Sequence, residues 1–110
     1  KNIYLKGVQG FLYKKNQPQY QIQAQIGQVF LENSDVRLEK VNLTQIDGGG
    51  FITGESLTWL SGDQFMRVEN VLVERKNLFI QSKYLCYDLS KGILTFPEDV
   101  VITLKNEGNL

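Results

Sequence analysis

The sequence contains no histidine, which removes the commonest general base and the commonest metal ligand together. It contains one cysteine, Cys86, so no internal disulfide can form and cysteine usage gives no redox compartment. Charge of one sign is missing too: twelve basic and twelve acidic side chains cancel, leaving no electrostatic footprint for nucleic acid or an anionic membrane surface. No run of about 18 apolar residues exists, so no segment has the composition of a membrane-spanning helix. No stretch keeps a 3.6-residue period long enough to specify a helix. Without histidine, catalysis would need a carboxylate pair or an activated cysteine. Glu98 and Asp99 are adjacent, so in a regular strand they point to opposite faces. Cys86 alternates against Leu85 and Tyr87, near no base, and reads as a small packed side chain. These absences argue against an enzyme, a cofactor and a metal.

What is present is β-pattern. At 110 residues the chain is one domain (1–110), and 42% hydrophobic with 22% charged residues is ordinary for a folded protein. The stretch from Leu78 to Leu104 reads as two alternating strands joined by a turn over Asp88–Gly92. Its apolar positions occur three times. Ile80, Ser82, Leu85, Tyr87, Leu94, Phe96, Val100 and Ile102 align with Ile52, Gly54, Leu57, Trp59, Met66, Val68, Val71 and Val73. Those align with Ile22, Ala24, Gly27, Val29, Val36, Leu38, Val41 and Leu43. The period is roughly 30 residues, the range of stacked supersecondary units, and a single extra residue near Pro97 keeps the last copy in step. The expectation is an all-β domain, a jelly roll or stacked antiparallel hairpin repeats.

Along the chain, Val8, Phe11 and Tyr13 match Leu38, Val41 and Leu43, so the chain begins with half a unit, followed by a polar turn over Asn16–Gln19. From Tyr20, the residues Ile22, Ala24 and Ile26 share one face and Gln21, Gln23 and Gln25 the other, a strand with one wet face. The phase flips at Gly27, which reads as a β-bulge. Further turns follow at Glu32–Asp35, Ser61–Asp63 and Arg75–Asn77. The second half of each unit breaks phase again, between Leu38 and Val41, Val68 and Val71, and Phe96 and Val100. A glutamate sits in each gap: Glu39, Glu69 and Glu98. A kink repeated once per unit predicts strands that bend at a common corner, with the glutamates solvated outside it. Asp47-Gly48-Gly49-Gly50 opens no helix and lacks a following Lys-Ser/Thr, so it reads as a hairpin tip and not a phosphate loop. The tail from Lys105 to Leu110 reads as a turn and the start of another strand. The chain opens at Lys1 with neither a methionine nor an apolar signal segment, which reads as a trimmed or mature piece, and the expectation is an anchor or signal outside it.

The apolar column has two readings from pattern alone: the sealed core of a sandwich, or the wall of an open groove for acyl chains. The run Ile80-Gln-Ser82-Lys-Tyr-Leu85-Cys-Tyr87-Asp88, then Gly92-Ile-Leu94, Pro97 and Val100-Val-Ile102, resembles the signature of the OstA/LptA/LptC superfamily. Upstream, Val8-Gln-Gly10-Phe-Leu-Tyr13, Tyr20-Gln-Ile22-Gln-Ala24 and Val36-Arg-Leu38-Glu-Lys-Val41 are similar to the opening of LptC-like domains, so the resemblance covers nearly the whole chain. LptC-like, LptA-like and other OstA-like modules all fit. The resemblance implies a twisted, V-shaped β-jelly roll that relays lipopolysaccharide across the periplasm. It implies an acyl-binding surface made of Ile22, Ala24, Leu38, Val41, Leu43, Ile52, Leu57, Trp59, Met66, Val68, Val71, Val73, Ile80, Leu85, Tyr87, Leu94, Phe96, Val100 and Ile102. It also implies partners reached through edge strands: the inner-membrane ABC transporter complex at one edge and further Lpt-type jelly rolls at the other, by β-augmentation. A tether to the inner membrane would lie outside this chain. The alternative is an adaptor with a closed core, in which only the edges act.

Overall fold

The alternating segments all become strands. The structure, a computed structural model, describes residues 2–105. In chain order the strands are β1 (Asn2–Lys14), β2 (Gln17–Phe30), β3 (Asp35–Gln45), β4 (Phe51–Trp59), β5 (Phe65–Arg75), β6 (Leu78–Asp88), β7 (Ile93–Thr95) and β8 (Val100–Leu104). β1 to β6 form one antiparallel meander, and β7 and β8 share the outer edge of β6. The first hairpin turn falls earlier than the Asn16–Gln19 expected. Lys15 and Asn16 both have positive φ (50° and 64°), the geometry of a type I′ turn that matches strand twist, so β2 already begins at Gln17. The strand expected from Leu94 to Ile102 is broken at Phe96–Asp99, where Pro97 offers no N–H and fixes φ. The break holds the one inserted residue: Cys86 faces Thr95 on β7, yet Ser82 faces Val100 on β8, a register displaced by one. The strand start expected after Lys105 lies outside the described residues.

Residues equivalent in the three copies face one another across the ladders. One row runs Val29, Val36, Trp59, Met66, Tyr87, Leu94; another Gly27, Leu38, Leu57, Val68, Leu85; a third Ile22, Leu43, Ile52, Val73, Ile80, Ile102. The repeat is therefore a set of cross-strand rows, which are the units of sheet stabilisation.

The phase breaks form a single line. Gly7, Gln25, Lys40, Glu55, Asn70 and Lys83 each drop out of the ladder at the same level, strand after strand. Gly7, Lys40 and Asn70, on alternate strands, take the left-handed conformation (φ 65°, 53° and 52°). This corrects the bulge expected at Gly27. A bulge on one strand adds a residue and shifts register; here both partners skip a rung together, so the rows survive on either side. The flip falls at Gln25–Ile26, which turns Ile26 outward and leaves it exposed. β1 is also phased differently from the expectation. Leu5, Val8, Gly10 and Leu12 face Gly27, Ala24, Ile22 and Tyr20, so Phe11 and Tyr13 point outward and are exposed. Phe11 and Tyr13 looked equivalent to Val41 and Leu43 because aromatic residues filled the outer positions of an edge strand.

A single sheet with one apolar face must bury that face on itself. It bends along the skipped line into two arms, the first carrying Ile22, Val41, Leu43, Ile52 and Val71, the second Leu38, Leu57, Met66, Val68, Leu85 and Tyr87. All of these are buried in one cluster. The row beside the bend holds small residues, Ala24, Gly54 and Ser82. A Cβ at Gly54 would collide with Val68 Cγ1 and come within 3.3 Å of Glu69 O, so the arms close only because glycine stands there. Among the described residues, no Cα–Cα distance within 8 Å joins strands that are not sheet neighbours, so the strands of the two arms meet through side chains. The described part measures 58 × 27 × 26 Å.

Candidate functional site

The inward column divides by depth. Ile22, Ala24, Leu38, Val41, Leu43, Ile52, Leu57, Met66, Val68, Val71, Leu85 and Tyr87 are buried, with Leu85 at 0% and Tyr87 at 1% exposure. Trp59, Val73, Ile80, Leu94 and Phe96 are half-buried. Val100 and Ile102, on β8, are exposed, Ile102 at 58%. The structure thus brings the column together as one continuous apolar face, sealed in the middle and open where the sheet ends.

The arms cross because the sheet twists, and they close along one diagonal. Tyr20, at the far end of β2 in the first arm, packs edge-to-face on Tyr87 of β6 in the second, with ring centroids 5.8 Å apart at 84°. The Tyr87 hydroxyl donates to Gln19 Oε1. Gln19 is itself fixed, since its carbonyl accepts from Ile46 N–H at 3.0 Å. A small cleft of 70 Å³ follows this seam, lined by Tyr20, Ile52, Val73 and Leu94 among others. That is far below the roughly 300 Å³ at which small-molecule pockets begin. Burial pushes the Tyr20 hydroxyl above its usual pKa; Arg75 pulls it back and Asp47 adds to the rise. Burial likewise raises Tyr87, reinforced by Tyr20 and Asp88. The sequence placed Tyr20 on the inward face but gave no hint of Gln19 or Leu12, because their partners come from the fold.

On the other diagonal the inner face is uncovered. Ile3 and Leu5 of β1 are exposed at one end, and Val100, Ile102 and Leu104 of β8 at the other. These are also the two edges of the sheet. Unpaired edges lined by apolar side chains are the surface natural proteins ordinarily cover or charge.

The second arm's end is fixed by Asp88. Burial would raise its pKa, but hydrogen bonds from Ser90 Oγ, Gln64 Nε2 and the Lys91 and Ser90 backbone N–H groups outweigh that and lower it to about 2. The ring of donors holds the β6–β7 turn on the loop before β5.

The outer face carries the features set aside from catalysis. Glu39 pairs with Arg37 at 3.9 Å and Glu69 with Arg67 at 3.6 Å, while Asn70 donates to Glu55, so the outer line of the bend is a solvated polar strip. Glu98 is exposed. Among the described residues no cluster of three His, Cys, Asp or Glu side chains is placed to hold a metal ion. Cys86 faces outward, beside Thr58, Leu60, Phe65 and Arg67, in a shallow pocket of 310 Å³. No helix among the described residues is long and apolar enough to cross a membrane. No family model matches the chain, and no curated protein matches it.

Proposed function

We propose that this domain is a periplasmic lipopolysaccharide-transport component that relays the lipid's acyl chains along its inward column. The observation that supports this reading is the column's run from edge to edge. It starts at exposed apolar residues on β1 and ends at exposed apolar residues on β8, and the buried cluster between them is built of apolar side chains, with Arg75 at its rim. A core built only for stability has no reason to surface at both unpaired edges. The resemblance to the OstA/LptA/LptC superfamily supplies the lipid, the periplasm and the partners: an inner-membrane ABC transporter complex and further Lpt-type jelly rolls. β1 and β8 run in the same direction, so between copies of this chain whose inward faces are continuous, unlike edges pair in parallel and like edges pair antiparallel.

The competing reading is an adaptor whose core is closed and whose edges alone act. The burial of Leu57, Val68, Leu85 and Tyr87 favours it. Site-specific photo-crosslinking in envelope-containing cells separates the two. Probes at Ile102 and Trp59 should both give lipopolysaccharide adducts if the column carries lipid. Protein adducts from Ile102 with none from Trp59 would leave the adaptor.

A further inference from the structure

The column cannot hold an acyl chain in the conformation described above, because its central residues have no free surface. If the domain takes lipid, the arms must part, and three observations say where. The bend is a line of residues that already make no ladder pairing: Gly7, Gln25, Lys40, Glu55, Asn70 and Lys83. The arms share no close backbone approach away from it, so separating them breaks side-chain contacts and no strand pairing. The Tyr87–Gln19 hydrogen bond joins β2 to β6, strands four places apart in the sheet, and the Tyr20–Tyr87 ring contact lies beside it.

We infer that the two arms hinge about the unpaired line and that the Tyr20–Tyr87–Gln19 contact is the clasp an acyl chain displaces to enter. The inference rests on the lipid reading above and adds the gate to it. Opening along the hinge breaks the clasp and the side-chain contacts between the arms but leaves the backbone ladders on either side of the bend in place, so it costs less than unfolding and leaves a sheet able to reclose. Tyr87 suits a clasp because its ring seals the interior while its hydroxyl finds a partner at the rim. Lys14 lies beside the β6–β7 turn on the same diagonal: a Cβ at Gly92 would fall 2.6 Å from Lys14 Cδ. The two sides of the seam can therefore be tied together from outside the core.

Two changes test the clasp, each read with and without lipid. Tyr87→Phe removes the hydroxyl and keeps the ring. Loss of one such hydrogen bond should speed uptake of fluorescent lipopolysaccharide about fivefold. In the opposite sense, Lys14→Cys with Lys91→Cys in a Cys86→Ser background accepts a reducible bismaleimide tether across the seam. The tethered protein should take up lipid at least about tenfold more slowly, with the rate restored on reduction. Acrylamide quenching of Trp59, the sole tryptophan, reports opening without any lipid. It should rise in Tyr87→Phe and fall in the tethered protein. Unchanged quenching and equal uptake in all forms would overturn the hinge and leave the lipid reading standing. Quenching that responds as expected, with uptake by none of them, would keep the hinge and retire lipid transport.

Discussion

Leu85→Ala tests whether the column's centre is a packed core. Leu85 is fully buried and sits in the Gly27–Leu38–Leu57–Val68 row of the second arm, facing Val68. Truncation removes three buried carbons and leaves a cavity that the surrounding side chains fill only in part. Leu→Ala changes at such sites cost about 2–5 kcal/mol, and full burial puts this one at about 4 kcal/mol. In a domain of this size that lowers Tm by about 15–25 °C and takes a large share of a total stability of about 5–15 kcal/mol. Urea unfolding followed by far-UV circular dichroism should show the midpoint falling with m unchanged. Leu85→Asp, which adds an unpaired buried charge, should leave no folded protein to purify. Ile102→Ala, on the same face at an exposed edge, supplies the contrast and should cost less than about 1 kcal/mol. A Leu85→Ala loss below about 1 kcal/mol, or a folded Leu85→Asp protein, would refute the sealed centre and make the arms apart in solution.

The bend makes its own demand. Gly54→Val should destabilise by about 3 kcal/mol through overpacking against Val68, whereas Gly10→Val, with open space at its Cβ, should be neutral or mildly stabilising; equal effects in thermal melts would sink the close-approach account. Asp88, held down near 2 from an ordinary 3.8, stabilises the fold fully above pH 3.8, and that stability drains away as pH falls toward about 2. Asp88→Asn should remove this part of the acid slope, so unchanged difference curves between native and variant proteins over that window would contradict the donor ring. Tyr20 and Tyr87 have raised pKa values, so their neutral forms stabilise the fold below pH 10, and that contribution fades as alkaline pH passes their folded values. Phenolate absorbance should show two of the five tyrosines titrating late, and Tyr20→Phe should remove one of them. For the edges, Ile102→Lys should weaken any pairing through β8 while leaving the melt nearly unchanged, as sedimentation at increasing concentration would register.

Much of the architecture was legible because strand periodicity is a local property. Within an unbroken strand a side chain two residues along returns to the same face, so the three aligned copies became cross-strand rows from β2 to β6, interrupted only at Gly54 and Val71 beside the bend between β4 and β5. The extra residue near Pro97 emerged as the displaced register between β7 and β8 for the same reason. The errors lay where alternation fails. Ile26 was phased inward because the sequence marks the flip with a visible glycine at Gly27, while the skipped rung is at Gln25, a residue with no distinguishing chemistry. Phe11 and Tyr13 misled because hydrophobicity on an edge strand does not identify the inner face.

The sequence by itself determined an all-β chain, most of its turns, the identity of the inward column and a phase break once per unit, because each follows from neighbours a few residues apart. Only the tertiary structure decided how those parts close. Whether the bends line up, which diagonal of the twisted sheet is sealed by Tyr20, Tyr87 and Gln19, and which ends stay open at Ile3 and Ile102 depend on contacts between strands far apart in the chain. The physical reason is that alternation sets which face a residue points to, while twist and the spacing between the arms set what, if anything, it meets there.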